Sequence, residues 1–232
     1  MVNFALLDAL LKAYVDGEGR VNYGRWQREA QTDLRQWLAS VQPISLSDLS
    51  ADTQLALLIN LYNALVIEQV LMRYPTNSIL PKFLGVPNWL AFLRFFERSR
   101  FSLNNQSLSL NKIEHGILRQ HFTEPRIHFA LVCAAVGCPL LRSGAYWADR
   151  VQEQLEEDAQ RFIHNPAKVR YDADSRTLYC SKILKWYGKD FLKVAPSIPA
   201  YIQRYLSGVE IPETATVRYL PYDWSLNQRT SS

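Results

Sequence analysis

Residues 55–67 read LALLINLYNALVI, thirteen positions that are apolar except for Asn60 and Asn63. A helix of this composition has no polar face to give to water, so the rest of the chain must enclose it. A bilayer span needs about 20 apolar residues. This stretch stops at Glu68, and so reads as a central core helix. Ser47 and Ser50 are its candidate N-caps, and it should end before Pro75. Two amides inside such a helix cost free energy unless they are paired. Asn60 and Asn63 can bind the backbone of a neighbouring loop and fix the packing. They can also line a polar pocket as substrate-binding residues.

The rest of the chain is read around that helix. Met1 to Val15 and Gly24 to Ala39 carry apolar residues at helical spacing. Pro75, Pro81 and Pro87 punctuate a loop, and Asn88 can cap the aromatic helix that follows. Beyond Arg98 the texture changes. Short runs around Asn104-Asn105 and around Ala173-Asp174-Ser175 predict two hairpins. Asn111 and Glu114 form an N-cap-like pair opening a helix from Lys112 to Arg119. Ile127 to Ala135 is apolar apart from His128 and reads as a central strand. Tyr146 to Ile163 is amphipathic and helical. Ser181 to Tyr187 is a short helix stopped by Gly188, and Pro199 to Leu206 is another. Val217 to Trp224 reads as a last strand or extended arm. The expectation is an α+β fold in one domain over 1–227. A helical half (about 1–98) packs on a mixed half (about 99–227) with a small, largely antiparallel sheet. Residues 228–232 should fray.

Twenty-six basic and 22 acidic residues give a net charge of +4, too mild for the dense basic stripe of a nucleic-acid binder. Arg94, Arg98 and Arg100 are interleaved with Phe92, Phe95, Phe96 and Phe101, which fits the rim of an amphipathic helix. Neither a nucleic-acid nor a membrane partner is expected. The N-terminus lacks the basic region of a signal peptide. Three cysteines, an odd number, argue against a secreted disulfide framework and place the chain in a reducing cytoplasm.

Nucleotide-binding, zinc-protease and nucleophile-elbow motifs are all missing from the sequence. The segment HFALVCAAVGC, His128 to Cys138, concentrates chemistry-bearing residues. Its His-x4-Cys-x4-Cys spacing matches no common zinc pattern. On a strand, His128 and Cys133 would point to opposite sides. No metal and no cofactor is expected. Cys133 reads as a small buried hydrophobe. Cys138 sits between Gly137 and Pro139, where a helix N-terminus would favour the thiolate. A Cys with a His is the minimum for nucleophilic thiol catalysis. Glu114 is either a cap or an orienting carboxylate. His115 and Arg119 share a helix face at i,i+4 and are candidate substrate contacts.

These residues fall in blocks: LINLYNALVIEQVL from Leu58, SLNKIEHGILR from Ser109, IHFALVCAAVGCPLLRSGAY from Ile127, SKILKWYGKDF from Ser181 and YDWSLN from Tyr222. In this order they resemble the domain of unknown function 547 family, which occurs in bacteria and, fused to a leucine-zipper segment, in plants. That family has no established activity. Its parts are loosely similar to those of papain-like or transglutaminase-like folds, in which the Cys precedes the His strand; here it follows.

Two functions remain open. One is a thiol-dependent hydrolase or acyltransferase acting on a small molecule or peptide, with Cys138 as nucleophile, His128 as base and Glu114 or Asn60 as orienter. The other is a non-catalytic scaffold that binds a ligand or a protein partner through a buried polar network.

Overall fold

A computed structural model of the 232-residue chain describes residues 2–83, 85–98 and 101–229. Arg100 of the aromatic–arginine cluster lies outside them. The helical half begins with α1 (Ala5–Tyr14), which packs on α2 (Tyr23–Val41), and α2 packs on α3 (Ala51–Leu71). Ser50 caps α3 by accepting from the Thr53 N–H at 3.3 Å. Sixteen of its 21 residues are buried, Asn60 and Asn63 among them, as its composition requires. By length and composition alone α3 could cross a membrane, yet here it is the core helix.

The strands β1 (Lys82–Phe83) and β2 (Val86–Pro87) lead into α4 (Trp89–Arg98). Asn88 caps α4, accepting from the Ala91 N–H at 3.0 Å. Both hairpins form. In the first, β3 (Phe101–Leu103) pairs with β4 (Gln106–Leu108) around Asn104 and Asn105, both at positive φ, as an Asn-rich two-residue turn favours. In the second, β5 (Val169–Asp172) pairs with β6 (Thr177–Cys180), and β7 (Thr216–Tyr219) joins β6 in parallel. The fold is α+β with a helical N-terminal half, and among the described strands the pairings are antiparallel except for β6–β7.

Several elements differ from the sequence reading. Residues Lys112–Leu118 wind as a π-helix before the short α5 (Arg119–His121). Ser109, not Asn111, supplies the side-chain cap, accepting from the Lys112 N–H at 3.1 Å. Glu114 is no cap and turns into the interior. Residues Ile127–Ala130 form one helical turn, α6, rather than a strand. The chain then runs irregularly through Ala134, at φ +65°. The cause is visible in the packing. Ile127 and Ala130 enter the large core around α3, whereas Phe129 stacks on Phe162 in the smaller core under the three-stranded sheet. A short turn can serve two cores that face different ways. Helix α7 (Val151–Ile163) starts five residues later than expected. Helix α8 (Ile183–Trp186) is followed at once by α9 (Gly188–Phe191), which Gly188 opens instead of stopping a helix. Helix α10 (Ile198–Gln203) has Ser197 as its cap.

Candidate active site

The two asparagines of α3 are backbone clamps. Asn63 donates to the Ala130 carbonyl and accepts from the Val132 N–H, both at 2.9 Å. Asn60 does the same to Tyr146, donating to its carbonyl at 2.8 Å and accepting from its N–H at 2.9 Å. Each amide substitutes for a strand neighbour and holds an irregular segment against the helix. This is the structural reading of the pair. Neither amide lines the large cavity, so the substrate-binding role expected for them is not where the structure places them.

That cavity, about 500 Å³, opens between α4, the π-helix, α6, α8 and the arm after β7. A volume of this order suits a small organic ligand. Its walls are aromatic, with Trp89, Phe92, Trp186, Tyr187, Tyr222 and Trp224 prominent. Trp89, Leu93 and Trp186 stay about half exposed at its mouth. Its polar lining includes Glu114, His115, Arg119 and His128, together with Cys133 and Cys138. Five residues expected from sequence (Glu114, His115, Arg119, His128 and Cys138) therefore meet in one place.

His128 is buried, and Tyr187 stacks on its ring at 3.8 Å. Its Nε2 lies 2.9 Å from Asp190 Oδ2. The same carboxylate accepts from Arg119 Nε at 2.6 Å and pairs with Lys193 at 3.2 Å. The hydrogen bond from His128 first, then those from Arg119 and Lys193, hold the Asp190 carboxyl well below the usual carboxylate range. An ionised carboxylate only accepts, so Nε2 carries the proton. Burial pushes the His128 pKa down in spite of Asp190. The imidazole is thus neutral near pH 7, with its lone pair on Nδ1. That atom is buried and finds no hydrogen-bond partner among the described residues. Arg119 also donates to His115 Nδ1 at 2.7 Å, which puts the His115 proton on Nε2.

Glu114 is buried at the centre of this array. Burial first, and then its charge, push the phenols of Tyr62, Tyr187 and Tyr222 well above their ordinary range. His115 Nε2 stands 3.9 Å from its carboxylate.

The cysteines correct the sequence reading most. Cys133 and Cys138 are joined by a disulfide, so Cys133 is no inert hydrophobe and Cys138 is no free thiol in this form. With no strand between them, the parity argument separating His128 from Cys133 lapses, and both line the cavity. Cys138 Sγ accepts from the Cys133 N–H at 3.0 Å and from the Tyr222 hydroxyl at 3.1 Å. Cys180 is free and buried, and burial pushes its thiol up to about 12.

Asp190, Tyr187, Tyr222 and the tryptophans were not singled out from the sequence. The blocks SKILKWYGKDF and YDWSLN hold most of them, so the family resemblance of those blocks was the only signal. Among the described residues no group of three His, Cys, Asp or Glu is arranged to hold a metal ion.

Residues 46–163 match the family model described as a protein of unknown function, DUF547. The chain belongs to this family. The match covers α3, Glu114, His115, His128 and both disulfide cysteines of the DUF547 domain, while Asp190 and Tyr222 lie beyond it. No curated protein and no solved structure matches the chain. The likeness to papain-like or transglutaminase-like elements was drawn through a histidine-bearing strand, and that segment is the helical turn α6.

Proposed function

We propose that this DUF547 protein is a thiol-dependent hydrolase or acyltransferase, active when the Cys133–Cys138 pair is reduced. The observation that carries the reading is the His128–Asp190 pair. A neutral imidazole is oriented through Nε2 by Asp190 and keeps a buried, unpartnered lone pair on Nδ1, and His128 lines the same cavity as the two cysteines. A nucleophilic thiol needs such a base, and the base needs such an orienter. In the reduced protein the Cys133 N–H and the Tyr222 hydroxyl stabilise the Cys138 thiolate. Cys138 is the nucleophile, His128 Nδ1 takes and returns the proton, and Asp190 is a positioning residue. The aromatic walls accept an apolar acyl or aromatic body, and Arg119 and His115 face its polar end.

The test is turnover of a p-nitrophenyl acyl ester by the full chain before and after reduction. Reduction should switch activity on. Cys138→Ser should abolish it, and His128→Asn should lower kcat/KM by about 100-fold or more. Equal turnover by the oxidised protein, or by His128→Asn, rules the reading out.

The disulfide itself favours a second reading, in which the cavity binds a ligand without chemistry. In the oxidised form no free thiol faces the cavity, since Cys180 is buried elsewhere. Saturable ligand binding with no turnover in either redox state is the result expected there.

A further inference from the structure

The two sulfurs of the disulfide are not equivalent. Cys138 is 3% exposed, and its Sγ receives hydrogen bonds from the Cys133 N–H at 3.0 Å and the Tyr222 hydroxyl at 3.1 Å. Cys133 is only half-buried. Its Sγ has the same Tyr222 hydroxyl at a longer 3.4 Å and no backbone donor among the described residues. In thiol–disulfide exchange, rate depends on access to the sulfur attacked and on the stability of the thiolate that leaves. Both criteria choose the same direction here. Cys133 is the more exposed residue of the pair, and the sulfur with two donors waiting is that of Cys138.

We propose that the cavity carries out directed thiol–disulfide exchange with a low-molecular-weight thiol bearing an apolar or aromatic body. The thiolate R–S⁻ attacks Cys133 Sγ. An R–S–Sγ bond forms, the Sγ133–Sγ138 bond breaks, and its electron pair leaves on Cys138 as a thiolate held by the Cys133 N–H and Tyr222. A second thiolate attacks the sulfur of the R group, giving R–S–S–R and the Cys133 thiolate. Two thiols are oxidised by two electrons, and the protein disulfide is reduced by two. Run backwards, the same steps reoxidise the protein at the expense of a small disulfide.

The substrate class follows from the walls. Trp89, Trp186, Tyr187 and Trp224 give flat apolar surface between the mouth and the sulfurs, which rewards an aromatic thiol over a short polar one. Gly137 keeps Tyr222 in register with Cys138. A Cβ there would lie 2.8 Å from the Tyr222 ring and from the Asp223 carbonyl. The inference rests on the cavity binding an organic ligand, as above, but not on acyl transfer.

The experiment uses the oxidised full chain with benzyl mercaptan or 2-mercaptoethanol at matched thiolate concentration. N-ethylmaleimide quenches the reaction, and fragment masses locate each adduct. The expected map has benzylthio on Cys133, maleimide on Cys138 and nothing on Cys180. The rate with benzyl mercaptan should saturate and exceed that with 2-mercaptoethanol by at least tenfold. Tyr222→Phe, checked for folding by circular dichroism, should slow exchange by about tenfold, the loss of one charge-assisted hydrogen bond to the leaving sulfur. Benzylthio on Cys138, labelling only after unfolding, or equal unsaturated rates for the two thiols overturns the proposal. The wild-type map needs no variant to fold. Ester turnover by the reduced protein is read separately, so either reading can fail without the other.

Discussion

Removing the Asn63 side chain tests how the site is anchored to the core. In Asn63→Ala, the Ala130 carbonyl and the Val132 N–H each lose their side-chain partner at 2.9 Å. Both residues are buried, at 1% and 3% exposure, so water does not replace the amide without local opening. Leaving a buried polar group unpaired costs about 1–3 kcal/mol. Two groups therefore cost roughly 4 kcal/mol, within a range of about 2–6. For a chain of this size about 1 kcal/mol moves Tm by roughly 2–4 °C. The expected drop is thus about 8–16 °C. Thermal and urea unfolding measure it, with exposed Gln160→Ala as a control expected to stay within about 0.5 kcal/mol. Amide hydrogen exchange adds a local readout. Val132 should be protected in the wild type and lose protection first in the variant, because α6 and the cysteine loop hang on that amide. A loss below about 1 kcal/mol with Val132 still protected would refute the clamp as the anchor.

Further outcomes follow from the charges and the tight contacts. Asp190 has its carboxyl lowered, mainly by His128 and then by Arg119 and Lys193. It contributes stability above its unfolded value near 3.9 that is lost as pH falls toward the lower folded value. Wild type should lose more stability than Asp190→Asn between about pH 5 and pH 2 in acid titrations of unfolding; parallel curves contradict this. Lys168 donates to the Val136 carbonyl at 2.6 Å, and burial lowers its amine to about 8. The folded state therefore binds fewer protons than the unfolded one from about pH 8 to 10.4, and stability should rise across that window. Lys168→Met should flatten the rise. Gly137→Ala should cost about 1–3 kcal/mol by driving Tyr222 from the sulfurs, seen as a lower Tm and slower reduction of the disulfide. Unreduced native protein should show no thiol to a maleimide, because Cys180 is buried and the other two are paired; one equivalent of rapid labelling speaks against the pairing.

Much of the fold was legible because its signals are local. Ser50, Asn88 and Ser197 cap helices as their residue types predict. The Asn104-Asn105 pair turns a hairpin because asparagine tolerates positive φ. The apolar composition of α3 foretold its burial. The segment from Ile127 misled for a physical reason: a short apolar run has no periodicity that separates a buried strand from a buried turn. What decides is Asn63, which grips that segment from 67 residues away, a contact that no local pattern carries. Glu114 and His115 were found by type, and the His115–Arg119 contact follows the i,i+4 spacing of that pair, but Glu114 shows itself as an interior carboxylate only in the fold. Asp190 gave no signal of its own. It sits in GKDF beside a lysine and resembles any surface carboxylate until the fold carries it to His128.

The arm after β7 has a consequence for the order of assembly. Tyr23 donates to Asn227 Oδ1 at 2.8 Å across 204 residues, and the Val136 and Gly137 N–H groups bind the carbonyls of Ser225 and Asp223. Contacts this distant in sequence require the entropy of a very large loop to be given up before they return anything. Helix α1 packs on α2 and α2 on α3, partners nearer in sequence. Tyr222 and Trp224 belong to the arm, so the cavity has that wall only once these long-range contacts have formed. Until then Cys138 lacks the Tyr222 hydroxyl, one of the two donors that mark it as the leaving sulfur of the pair.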